Sequence, residues 1–129
     1  MRFSLRATDG GFLADEHAVG FSFDAVDDAG AKHYLNLQRQ PEDWPPHEDW
    51  GIHLEFDGQG YGGYGCLGAC RVDREWLSID LCKPLGPTPM AEVEGFDVSL
   101  VEIDDEKYRE LIYGLPRAFR DFEGLLSIA

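Results

Sequence analysis

Residue types that could do chemistry cluster in a few places along the chain. The run Gly58-Gln59-Gly60-Tyr61-Gly62-Gly63-Tyr64-Gly65 holds a literal G-x-G-x-x-G spacing. In a dinucleotide-binding fold, such glycines let the backbone approach a pyrophosphate at the start of a helix. The residues that follow, Cys66–Val72, alternate like a strand, so no helix dipole is expected there to receive a phosphate. The run reads instead as a wide turn whose glycines permit positive φ, with Tyr61 and Tyr64 covering a sheet edge and available for contact.

Cys66, Cys70 and Cys82 form no C-x-x-C pair, and His17, His33, His47 and His53 form no H-x-x-x-H or H-E-x-x-H pair. Metal sites usually draw ligands from such close pairs, so neither a metal nor a cofactor is expected. The cysteines read as buried small residues and the histidines as surface ones. Asp24, Asp27 and Asp28 would attract calcium, yet the Gly and Glu positions of the twelve-residue loop signature are missing. No nucleophile elbow, triad or phosphate loop appears. Carboxylates abound, but abundance is not the geometry of an acid–base pair, and no catalytic residue is assigned.

The segment Glu42-Asp43-Trp44-Pro45-Pro46-His47-Glu48-Asp49-Trp50 is the most suggestive. It repeats Glu-Asp-Trp at a spacing of six residues around a Pro-Pro-His centre. Prolines lower the entropy cost of ordering a loop, and Trp is enriched among residues that dominate interface energies. Glu42, Asp43, Trp44, Glu48 and Asp49 are therefore candidate partner contacts, followed by Tyr61 and Tyr64. Trp44 and Trp50 keep a second reading, as lids closing the end of a β core.

The elements that must position these residues are mostly strands. Two-residue alternation marks Arg2–Leu5, Val19–Phe23, Tyr34–Gln38, Ile52–Phe56, Cys66–Val72, Trp76–Cys82 and Phe96–Val101. Asp73-Arg74-Glu75 is short enough to close a tight hairpin, with Leu77, Ile79 and Leu81 on the core face and Trp76, Ser78, Asp80 and Cys82 opposite. Tyr108, Leu111, Ile112 and Leu115 then follow the helical spacing. Acidic residues lie at that helix's start, and Gly114 with Pro116 should end or bend it. Phe119, Phe122, Leu125 and Leu126 suggest a second short helix. The expected fold is a single domain over residues 1–129, α+β, mostly antiparallel β-sheet with one or two C-terminal helices.

Charge narrows the partners. The chain carries 25 Asp and Glu against 11 Lys and Arg, a formal net charge of −14. Residues 1–58 hold about −8 of it, residues 59–103 about −4, and residues 104–129 about −2. A field of that sign repels nucleic acid and anionic membranes and steers basic partners. No run approaches the roughly 20 apolar residues of a membrane span, no signal-peptide core is evident, and three unpaired cysteines suit a reducing compartment. A cytoplasmic protein is expected, and its edge strands are compatible with a homodimer.

Several stretches resemble the immunity protein 10 family. They are Tyr34-Leu35-Asn36-Leu37-Gln38-Arg39, Asp49-Trp50-Gly51-Ile52-His53-Leu54-Glu55-Phe56 and Tyr61-Gly62-Gly63-Tyr64-Gly65. The hairpin Val72-Asp73-Arg74-Glu75-Trp76-Leu77-Ser78-Ile79-Asp80-Leu81 and the closing acidic helix belong to the same resemblance. It covers roughly residues 34–115. It implies a bacterial protein that binds and neutralises a polymorphic toxin; joined to the residue reading, it gives a non-enzymatic inhibitor expected to act through the acidic, Trp-containing surface. The competing expectation is a small ligand-binding or hydrolase domain, whose pocket would hold Tyr61, Tyr64 and a desolvated carboxylate. A structural subunit of a larger assembly is the third.

Overall fold

A computed structural model describes residues 1–40, 51–57 and 61–129. Among these, the strands are β1 (Arg2–Ala14), β2 (Val19–Val26), β3 (Lys32–Arg39), β4 (His53–Phe56), β5 (Gly62–Tyr64), β6 (Leu67–Val72), β7 (Trp76–Leu81), β8 (Gly95–Ser99) and β9 (Leu126–Ile128). They lie in one sheet in the order β5-β4-β3-β2-β1-β8-β7-β6-β9. One helix, α1 (Asp105–Ala118), precedes β9. The α+β class with mostly β content is as expected, but the sheet is mixed. β1 runs parallel to β8, and β6 parallel to β9.

Alternation fixes which face is apolar, and the register lines those faces up across strands. Leu77, Val98 and Leu5 form one cross-strand row, and Ile79, Phe96 and Phe3 the next. Phe23, Leu35 and Phe56 continue the pattern on the other half. The rows meet because the sheet curls. Phe56 on β4 and Phe96 on β8 lie four strand spacings apart, about 19 Å in a flat sheet, yet their ring centroids are 4.9 Å apart. Phe3 bridges them at 5.1 Å from Phe56. The amide of Gly62 in β5 also donates to the Leu85 carbonyl beyond β7 at 2.8 Å, drawing distant parts of the sheet together.

Three expectations change. First, β1 extends to Ala14 rather than stopping at Leu5, because a bulge between Ala7 and Asp9 resets the alternation. Gly10 lets the strand continue there, since a Cβ would sit 2.7 Å from the Phe21 ring. Second, α1 passes through Gly114 and Pro116. Proline forfeits one backbone bond, but Leu111, Leu115 and Ala118 are fully buried and the Phe119 amide still reaches the Leu115 carbonyl at 2.9 Å. Gly114 is where Phe12 packs, at 2.4 Å from an added Cβ. Asp104 caps the helix by accepting from the Lys107 amide at 2.8 Å. Third, the expected second helix is a single 3₁₀ turn, Glu123–Leu125, leading into β9. Asp121 at φ 70 breaks the path between them.

α1 packs on β1, β2 and β3 and closes the concave side of the sheet. The convex side is left to solvent and polar side chains. No helix among the described residues is long and apolar enough to cross a membrane.

Candidate functional site

Glu42, Asp43, Trp44, Glu48 and Asp49 lie outside the described residues, as does Trp50. Tyr61 and Tyr64 are described and both are partly exposed. The glycine run that carries them is not simply a turn, because Gly62–Tyr64 forms the edge strand β5. Gly62 at φ 133 makes that pairing possible, since a Cβ there would overlap the Leu54 carbonyl. Tyr64 pairs with His53, at the end of the sheet where β3 leaves and β4 begins. Tyr61 lies at the other end, where its carbonyl accepts from the Phe56 amide at 2.9 Å. Three residues of extended chain, about 10 Å, separate the two tyrosines.

Upstream of β5, the convex face of β2–β4 is a chain of neutral hydrogen bonds. Ser22 donates to the Asn36 side-chain oxygen at 3.1 Å, which leaves the Tyr34 hydroxyl as donor to Ser22 at 3.2 Å. Asn36 passes the chain on to Gln38 at 3.0 Å. The His53 ring meets Tyr64 edge-on at 4.7 Å. Its Nδ1 is buried without a hydrogen-bond partner among the described residues, 3.8 Å from Glu55 Oε1.

Across β1, β8, β7 and β6 the same face is ionic. Arg2 grips Asp97 through Nε and Nη2 at 3.0–3.1 Å and reaches Asp80 at 2.8 Å. Arg71 meets Asp80 from the far side at 2.7 Å. Arg2 holds the Asp97 carboxyl below the usual range, and Arg71 does the same for Asp80, aided by Arg2. Beyond this ladder, Trp76, Ser99, Arg6 and Val26 form a cross-strand row. Trp76 is 46% exposed, a large aromatic ring left on the polar face of its hairpin. It borders two hollows. One, of about 460 Å³, is lined by Ser4, Arg6, Ser99 and the Asp27–Gly30 turn. The other, of about 270 Å³, is lined by Arg71, Asp73, Ser78 and Ser127. Arg6 is itself closed on Glu102 at 2.7 Å.

The turn that walls the larger hollow is fastened by His33. Its Nε2 lies 2.7 Å from Asp27 and its Nδ1 2.6 Å from Asp57, so only the imidazolium can donate to both. Burial opposes that charge, but the two carboxylates outweigh it and raise the His33 pKa. Asp27 also accepts from the Ala29 and Ala31 amides at 2.9 Å, which orders the turn. His33 stacks on Phe56 at 5.1 Å, so this histidine is neither a free surface group nor an available base. Asp27 is thereby a turn and clamp residue, not a cation ligand.

The thiols are likewise occupied or muted. Burial pushes Cys70 up to about 12 and raises Cys66 as well. Cys82, contrary to the expectation of three buried cysteines, is exposed and donates to the Gly65 carbonyl at 3.0 Å. Trp76, Asp28 and His33 were not among the expected contacts. A Trp on the polar face of an amphipathic strand was the available signal for the first, whereas the others acquire meaning only when distant strands meet. Compared with known proteins, the chain matches no family model, no curated protein and no solved structure.

Proposed function

We propose that this chain is a non-enzymatic immunity protein that binds and neutralises a basic toxin in the bacterial cytoplasm. One observation carries the reading: at least six of the eleven basic side chains are turned into the protein's own ion pairs, which leaves the acid excess to dominate the surface. Arg2, Arg6, Arg39, Arg71, Arg74 and Lys107 each close on a carboxylate within 3.6 Å. Arg39 is 2% exposed, and it also spends its guanidinium on the Arg120 carbonyl at 2.5 Å. A surface arranged this way repels polyanions and attracts a basic protein. The resemblance to immunity proteins supports the same partner class, and its stretches fall on β3, β4, β5 and the β6–β7 hairpin.

The test is co-expression with the product of the adjacent reading frame, reading both co-purification and growth rescue. Rescue with an association rate that falls steeply between about 50 and 200 mM salt is expected. Failure to rescue, or a salt-independent rate, counts against the reading.

A further inference from the structure

The hollow between Trp76 and the β2–β3 turn has the composition of a socket for a cation. Its walls differ in kind: an indole ring on one side, and on the other a turn bearing Asp28. Asp27 in that turn is already committed to His33, and Arg6 on the floor to Glu102. No hydrogen bond or ion pair engages the Asp28 side chain among the described residues, which leaves it as the carboxylate available to an incoming group. Ser4 and Ser99 add hydroxyls to the floor. An aromatic face attracts a guanidinium or ammonium group, most strongly for Trp, and a carboxylate opposite it completes the recognition. An apolar side chain would leave Asp28 desolvated without a partner. A phosphate or carboxylate would face the field of a chain of net charge −14.

We infer that this hollow is the docking socket for an arginine or lysine side chain of a basic protein partner, with Trp76 stacking on it and Asp28 as its counter-ion. The inference rests on the partner class proposed above and adds a position to it. The His33 clamp is a positioning device here, because it holds the turn that carries Asp28 against the sheet.

The experiment is an NMR titration of the full ¹⁵N-labelled chain with a hexa-arginine peptide. Hexaglutamate, maltohexaose and a dilution series of the protein alone are the controls. The Trp76 indole N–H and the Asp28 and Gly30 amides should shift with hexa-arginine alone. Trp76→Ala and Asp28→Asn should each weaken the peptide about three- to tenfold. Trp76→Phe should recover most of the loss, and Glu106→Gln, on exposed α1 surface, should change nothing. Circular dichroism verifies that each variant folds.

Affinity within a factor of two of wild type in both Trp76→Ala and Asp28→Asn would overturn the socket. So would a Trp76 resonance that moves with maltohexaose or with protein concentration but not with hexa-arginine. The growth-rescue assay separates the two claims. Peptide binding at Trp76 without rescue by the wild-type chain removes the toxin reading and leaves the socket. Rescue with unimpaired peptide binding by both variants removes the socket and leaves the toxin reading.

Discussion

The two halves of the convex sheet face solve the same problem by different chemistry. On β2–β4, outward side chains are linked by hydroxyls and amides, from Tyr34 through Ser22 and Asn36 to Gln38. On β1, β8, β7 and β6 they are linked by ions, from Arg2 through Asp97 and Asp80 to Arg71. The hydroxyl and amide chain on β2–β4 has no charged member for salt to screen. The ionic half stores alternating charge, so its cations are paired locally.

Both halves depend on the seam where the sheet curls. Phe56→Ala removes the ring that joins β4 to Phe3 and Phe96, and should cost about 3–5 kcal/mol, read as a fall in the urea midpoint. If the loss is under about 1 kcal/mol, the halves are not coupled through that seam. Arg2→Met takes the central cation from the ladder and leaves Asp80 beside Asp97. Partly exposed networks of this kind contribute about 1–2 kcal/mol, and the deficit should shrink as salt is raised from 0.05 to about 1 M.

The same variant has a pH signature. Asp97 and Asp80 have depressed pKa values, so their contribution is present above the ordinary carboxylate range and is lost as pH falls through the depressed values. Arg2→Met should move that acid loss to higher pH. Asn36→Ala, in the neutral half at 8% exposure, should cost about 1 kcal/mol at low and high salt alike. Equal salt dependence in the two variants would erase the contrast between the halves.

His33 belongs to neither half and gives the opposite pH slope. Its raised pKa means that the clamp's stabilisation is complete below the ordinary histidine value near 6.5 and is lost as pH rises through the raised value. Asp27, held below its usual range chiefly by His33, adds a loss at acid pH. Stability measured between about pH 6 and 9 should decline in the native chain and flatten in His33→Asn. The smallest effect is expected at Trp76. Trp76→Ala should change stability by less than about 0.5 kcal/mol, because the ring is exposed while its hairpin neighbours Leu77 and Ile79 carry the packing.

Much of the fold was readable from local pattern, and the exceptions share a cause. The β6–β7 hairpin followed from the strict alternation of Trp76–Cys82 after the short Asp73-Arg74-Glu75 link, and the inward face of that arm was assigned correctly. The far end of β1 was missed because a bulge at Thr8 inverts the alternation, so the same strand looks like a Gly-rich loop. The helix runs on past Gly114 and Pro116, where an end or a bend is expected, because burial of Leu111, Leu115 and Ala118 overrides their strong local penalties. Of the expected contact residues, Tyr61 and Tyr64 proved surface-exposed, but on opposite ends of the edge strand.

By itself, the sequence determined the composition of each face, the sign of the field and the existence of one helix, because these depend on spacing within a few residues. Only the tertiary structure decided that β1 lies beside β8, ninety-odd residues away, and that Arg2 therefore meets Asp97 and Asp80. It also decided that His33 stands between Asp27 and Asp57, and that Trp76 faces the turn bearing Asp28. Parallel pairing and sheet curvature are set by the summed burial of many distant apolar rows. No short window of sequence contains that sum.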